Sequence, residues 1–185
     1  MSERVLPSDL AIRPSTSGDA EGIWHCLDSV ARERVHIGMV EGPSLEQVRA
    51  FLLTMRGRGV IQFVALAGAR LVGWCDVTRK PFVGFRHSAA LGMGILASHR
   101  GRGLGSALLR TVLREAENQG LSRIELEVYS SNQRAIALYE RFGFTREGIK
   151  RSGRVLDGRA EDVLCMGLLL PPLAGSRSRA DRDQG

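Results

Sequence analysis

The stretch that most constrains this chain is residues 95–107, I-L-A-S-H-R-G-R-G-L-G-S-A. It starts at the end of an apolar run and continues into L-L-R-T-V-L-R-E-A-E, which has helical periodicity. A strand that feeds a glycine-rich turn into a helix makes an anion cradle. Gly101, Gly103 and Gly105 keep side chains out of the turn. The first N–H groups of a helix lack acceptors within it, so a phosphate can accept from several of them at the positive end of the dipole. Two rival readings fail on spacing. A Walker-type loop needs Lys-Ser or Lys-Thr after its last glycine, and Ser106-Ala107 stands there. A dinucleotide fingerprint, G-x-G-x-x-G, counted from Gly101 or Gly103, meets Ser106 or Leu108 where the last glycine is required. What remains is R-x-x-G-x-G, from Arg100 to Gly105.

The rest of the chain sets bounds. Its 185 residues, 43% hydrophobic, suit one domain with a real core. The formal net charge is +6 and the pI about 10, carried by arginine, since Lys80 and Lys150 are the only lysines. No run of five basic residues occurs, so no nucleic-acid partner is expected; the positive field suits a polyanionic ligand. Cys26, Cys75 and Cys165 lie far apart, without a C-x-x-C pair or a histidine at ligand spacing, which argues against a disulfide framework or a metal site. No apolar segment is long enough to cross a membrane and residues 1–4 lack the apolar core of a signal peptide, so a cytoplasmic protein is expected.

Read in order, residues 1–9 form a flexible lead and Leu10 begins a strand closed by Pro14. Two helices follow, one through Ile23, Leu27, Val30 and Ala31, the other capped by Ser44 and carrying Val48, Phe51, Leu52 and Met55. Residues 60–67 and 70–77 read as a hairpin and residues 88–96 as the next strand, with Gly92 and Gly94 on one face. Two glycines there mark either a bulge or the close approach of a ligand. The helix after the glycine loop stops at Gly120; a strand with Ile124, Leu126 and Val128 inward follows. Asn132 caps a helix striped by Ala135, Leu138, Tyr139 and Phe142, and Asp157-Gly158 joins a last strand pair. The expected fold is α/β, a mixed, mostly antiparallel seven-stranded sheet with helices on both faces over residues 10–170. Residues 171–185 read as a disordered tail.

R-x-x-G-x-G resembles the coenzyme A pyrophosphate loop of the GCN5-related N-acetyltransferases. Residues 127–144, E-V-Y-S-S-N-Q-R-A-I-A-L-Y-E-R-F-G-F, resemble that family's E-V-x-x-x-N-x-x-A-x-x-L-Y-x-x-x-G-F run. The resemblance implies acetyl-CoA as cosubstrate, held by Arg100, Gly101, Arg102, Gly103, Leu104, Gly105 and Ser106 at the pyrophosphate. It also implies main-chain contacts from Met93, Gly94 and Ile95 to the pantetheine arm, and contacts from Asn132 and Tyr139. By the same resemblance Tyr139 would protonate the leaving thiolate and Glu127 would be the general base, since no carboxylate lies between Ser88 and His99. Each residue has a plainer reading: a core tyrosine, an N-cap asparagine, and one of two exposed strand carboxylates with Glu125. His99 reads as a turn residue.

Acetyl transfer to an amine requires that a proton leave an ammonium of pKa near 10, that a preorganised donor meet the oxyanion, and that an acid meet the thiolate. The resemblance places the acceptor between residues 35–43, with Glu41, and residues 80–87, with Phe82, Phe85 and Arg86. The expected activity is N-acetylation of a small-molecule primary amine such as an amino acid. The alternatives are acetylation of protein N-terminal α-amines and a non-catalytic acetyl-CoA sensor. Pairing into a homodimer stays open at this level.

Overall fold

The computed structural model describes residues 7–55, 57 and 59–171. Only residues 7–9 of the expected lead fall within it, and the expected tail beyond residue 171 lies outside the described residues. The elements run β1 (Leu10–Pro14), α1 (Ala20–Arg32), α2 (Leu45–Thr54), β2 (Val60–Ala67), β3 (Arg70–Arg79) and β4 (Ser88–Ile95). Then come α3 (Leu104–Asn118), β5 (Arg123–Tyr129), α4 (Gln133–Arg141), β6 (Thr145–Leu156) and β7 (Arg159–Leu169). They build one seven-stranded sheet in the order β1-β2-β3-β4-β5-β7-β6. Every neighbouring pair is antiparallel except β4 and β5. This is the expected architecture.

Local chemistry accounts for the boundaries. The Ser44 hydroxyl accepts from Gln47 N while the Gln47 side chain accepts from Ser44 N, a reciprocal cap that starts α2. Gly120, at φ +75°, ends α3 in the left-handed conformation that satisfies its last carbonyls. Asp157 and Gly158, at φ +50° and +74°, form the tight hairpin turn between β6 and β7.

The two sheet faces are covered by different helices. On the face of Gly73, Met93 and Ile95, Leu108 of α3 closes on Gly73, and Gly105 lies near Ile95 and Met93. Leu104, Leu108, Leu109 and Val112 are all within 1% of full burial there. On the other face α1 places Cys26 beside Leu96. The three cysteines are free, and among the described residues no cluster of potential ligands forms a metal site. Among the described residues no helix is long and apolar enough to cross a membrane.

Two details differ from the sequence reading. No bulge interrupts β4, whose register with β3 runs unbroken from Gly73↔Ile95 to Arg79↔Ala89. Gly94 is needed because the Trp74 indole crosses it: a Cβ there would lie 2.2 Å from Trp74 Cη2. On α4 the fully buried pair is Ile136 and Tyr139, whereas Ala135, Leu138 and Phe142 are only half-buried. Those three pack against the edge of the core and also line a cavity, a second role that periodicity alone does not reveal.

Candidate functional site

The cavity exists because the sheet parts in its middle. β4 pairs with β5 only from Ser88↔Arg123 to Ala90↔Glu125, and beyond Ala90 the strands separate. Leu96 N donates to Val72 O at 2.9 Å, which by antiparallel alternation turns the main-chain groups of Gly92 and Gly94 toward β3. Those of Met93 and Ile95 therefore face the gap. The Ile95 carbonyl is taken there by Arg100 Nε at 2.8 Å, which leaves the Ile95 N–H and both Met93 groups directed at the opening. A cleft of about 810 Å³ fills it, walled by β4, the glycine loop, α4 and the start of the α1–α2 link.

One end of the cleft is shaped for a phosphate. Gly101 and Gly103 adopt φ +82° and +90°, a region that side-chain-bearing residues rarely enter, and Gly103 is the N-cap of α3. Gly101, Gly103, Gly105 and Ser106 line the cleft. Arg134 Nη2 lies 3.1 Å from where a Gly101 Cβ would stand, and Arg110 and Arg141 also line this end. The sequence reading missed these three arginines. A signal for two of them was available, since Arg134, Leu138 and Arg141 share one face of α4 by i, i+4, i+7 spacing. A polyanion with a strand-like apolar arm fits this donor set.

Arg100 lines the cleft, whereas Arg102 does not. Arg100 forms a two-pronged pair with Glu33 at 2.7 Å to each oxygen, tying the glycine loop to the end of α1. Arg102 reaches out to Asp9 at 3.2 Å, and the Leu104 side chain is core. The hydrogen bond from Arg100 holds the Glu33 carboxyl below the usual carboxylate range. His36 stands beside the pair, with Nε2 3.1 Å from Glu33 Oε2 and Nδ1 3.4 Å from Asn132 Nδ2. Asn132 Oδ1 is committed to Ala135 N at 3.2 Å, which turns its amide nitrogen toward His36 Nδ1, while Arg100 Nη1 lies 3.0 Å from Nε2. Burial, then Arg100, push the His36 pKa down, which keeps the ring neutral.

Tyr139 lies where the arms of the cleft meet. It is 7% exposed, its ring tilts against Phe144 at 5.7 Å, and it lines the cavity. Burial pushes its pKa well above the tyrosine range, so it is a protonated phenol at neutral pH. Glu127 also lines the cleft, on the strand face it shares with Glu125. Both carboxylates already hold cations: Glu127 pairs with Lys150, and Glu125 with Lys80 and Arg123. Of the expected acceptor loops, residues 36–38 line the cleft and residues 80–87 do not; Glu41, Phe82, Phe85 and Arg86 are exposed outside it.

A second, open groove of about 970 Å³ adjoins the first beyond His36 and Asn132. Arg34 and Val35 form one wall, Ser130 and Ser131 the floor, and residues 154–162 of the β6–β7 hairpin the other wall. Arg34 pairs with Asp157 at 3.0 Å, and Arg154 pairs with Glu161 at 3.2 Å while donating to the Arg34 carbonyl.

A splayed parallel pair with a glycine loop opening a helix at its mouth defines a protein that receives a coenzyme A thioester. Comparison with known proteins agrees: residues 27–144 match the model of the Acetyltransferase (GNAT) family, and the chain belongs to that family. The family uses acetyl-CoA. The chain is similar to the [ribosomal protein bS18]-alanine N-acetyltransferase of Escherichia coli, 46% identical over 68 residues, 36% of this chain and 45% of that protein. It spans less than half the length of the curated relatives it matches. Its fold is similar to the ribosomal-protein-alanine N-acetyltransferase of Brucella melitensis, with TM-score 0.81 at 26% identity over 86% of this chain and 99% of that one. A Salmonella typhimurium protein solved with acetyl-CoA shares the fold, with TM-score 0.84 at 22% identity over 92% of this chain and 99% of that one.

Proposed function

We propose that this chain transfers the acetyl group of acetyl-CoA to the primary α-amine at the start of a polypeptide. The observation that carries the acceptor is the open groove between residues 34–35 and the β6–β7 hairpin. It adjoins the cleft, has a volume of about 970 Å³, and is bordered by the exposed β6–β7 hairpin. The similarity to enzymes named for a ribosomal-protein alanine supports the same class. A free small amine such as an amino acid is the second reading. It is favoured by Glu127, which lines the closed cleft itself and could meet a compact amine without the groove.

In this reading Gly101, Gly103, Gly105 and Ser106 donate main-chain N–H groups to the pyrophosphate, and Arg134, Arg110 and Arg141 neutralise its charge. Arg100 and Asn132 act indirectly: the first fixes the loop to Glu33, and the second caps α4 and orients His36. Acetyl-CoA supplies the acetyl group as a thioester. The N–H groups of Met93 and Ile95 face the carbonyl oxygen and stabilise the charge that builds on it as the amine adds. Glu127 exchanges Lys150 for the incoming ammonium and holds it near the carbonyl, where it gives up a proton to a carboxylate or to water and becomes a nucleophile. The C–N bond forms, the C–S bond breaks, and Tyr139 gives its proton to the departing sulfur.

The test is release of free coenzyme A from acetyl-CoA, with mass analysis of the acceptor, across Ala-, Ser-, Gly- and Met-initiated peptides and the free amino acids. A kcat/KM for one peptide class at least tenfold above any free amino acid upholds the first reading. The reverse order selects the second, and acetyl-CoA binding without turnover on either panel overturns both.

A further inference from the structure

The face of the sheet that carries Gly92, Gly94, Glu125 and Glu127 holds one more carboxylate. Asp76 of β3 lies opposite Gly92 of β4, and its Oδ1 stands 3.4 Å from where a Gly92 Cβ would be. Gly92 itself lines the cleft, so the carboxyl lies behind Gly92, against the space a side chain at 92 would take, while Asp76 is not itself part of the cleft wall. Glu125 and Glu127 are spent on cations, whereas among the described residues no ion pair reaches Asp76. Its neighbours are neutral: Gln62 from β2, Trp74 and Thr78 from β3, and Gly92 from β4. The nearest charges on the face by register are Lys80 and Glu125, paired with each other on the far side of Thr78 and Ala90.

Gln62 makes the site costly to keep. It is 6% exposed and its Oε1 has no hydrogen-bond partner, while the residue is committed to Asp76. An orphaned buried carbonyl beside a half-buried carboxyl with no cation to compensate it is two penalties in one place, the pattern expected where chemistry rather than stability fixes the residues. Burial pushes the Asp76 carboxyl up to about 7, against hydrogen bonds from Gln62, Trp74 and Thr78 that pull it down. A group of that kind takes a proton near neutral pH.

We propose that Asp76 is the group that receives the acceptor's proton, through the space beside Gly92, while Glu127 holds the ammonium. This rests on the acetyl-transfer reading. In the balanced step the ammonium loses one proton to the Asp76 carboxylate across a water beside Gly92. The neutral amine forms the C–N bond as the C–S bond breaks, Tyr139 protonates the departing sulfur and is reprotonated, across water, by the second proton of the nitrogen, and the proton on Asp76 returns to solvent after the product leaves.

The experiment compares wild type, Asp76→Asn, Gln62→Leu and Glu127→Gln by pH–rate profile with the best acceptor of the panels above. In wild type kcat/KM rises with pH through an apparent pKa near 7. Asp76→Asn should lower it about 100-fold at pH 8 and abolish that limb. It should leave acetyl-CoA affinity within threefold and raise the thermal midpoint at pH 8, because a buried charge has been removed. Gln62→Leu, which takes away a hydrogen bond to the charged form, should move the limb upward by about half a pH unit. Glu127→Gln should raise acceptor KM and keep the limb. A limb lost in Glu127→Gln but retained in Asp76→Asn overturns the proposal, as does an Asp76→Asn variant that loses activity and thermal stability together. A second readout needs no turnover. Carboxyl ¹³C resonances of wild type should show one group titrating near pH 7, absent in Asp76→Asn and shifted by acetyl-CoA. A group that ignores acetyl-CoA sinks the proposal, and failure of the panels alone sinks only the acetyl-transfer reading.

Discussion

The two ends of the cleft are built in opposite ways. The phosphate end is written in two short stretches, residues 93–110 and 132–142, whose glycines, caps and arginines are brought together by the strand–turn–helix units that contain them. The acceptor end is assembled from residues far apart in the chain: Arg34 meets Asp157, Lys150 meets Glu127, and Arg154 meets the Arg34 carbonyl. A cradle fixed by backbone conformation admits few substitutions. A wall held by exposed charge pairs can be rewritten one residue at a time, so binding of the common ligand is insulated from change in the acceptor.

That contrast can be broken where the ends meet. Tyr139→Phe removes a hydroxyl and no packing. It should lower kcat roughly 100-fold, the usual weight of a general acid, while acetyl-CoA affinity by calorimetry and acceptor KM stay within threefold. A parallel loss of affinity would show that the ends are not separable. Next in size, Gly103→Val forces a branched side chain into φ +90°. A strain of about 1–3 kcal/mol and the displaced N–H donors should weaken acetyl-CoA binding roughly 30-fold. At saturating acetyl-CoA the acceptor KM should not move.

Much of the phosphate end was legible in the sequence because its determinants are local. Positive-φ glycines, the Asn132 cap and helical periodicity act over a few residues, so their spacing survives in one dimension. The seven strands were legible for the same reason, through alternation and turn residues. The failures were of two physical kinds. Periodicity placed Ala135, Leu138 and Phe142 against the core, where they pack, but did not show that they also wall a slot, because a helix facing a slot is as apolar as one facing a sheet. Long-range pairing was out of reach: nothing in the sequence ties Arg100 to Glu33, which the placement of α1 sets, or Trp74 to Gly94 and Asp76 to Gly92, which the register of β3 and β4 sets.

Smaller effects test the acceptor end. Arg34→Ala opens the Arg34–Asp157 pair at the rim of the groove. An exposed pair contributes at most about 1 kcal/mol, so acceptor KM should rise less than fivefold, with acetyl-CoA affinity unchanged. Asp19 serves as a control remote from both ends. The hydrogen bonds from Arg13, at 2.7 Å to each oxygen, hold its carboxyl down to about 2. A folded-state pKa below the unfolded value near 3.9 gives stability that is present above pH 4 and lost as pH falls toward 2. Thermal scans across that window should show a shallower decline for Asp19→Asn than for wild type, with both binding constants at pH 7 the same.

The parting of β4 from β5 reaches beyond catalysis. A sheet left unzipped in its middle keeps unpaired main-chain groups that a ligand lying along the gap would satisfy, so the ligand completes the fold as well as reacting in it. Binding at 100 times the dissociation constant adds about 2.7 kcal/mol to the folded state. On a marginally stable domain that changes the unfolded fraction about 100-fold. The survival time of this protein against proteases should therefore track the acetyl-CoA concentration around it.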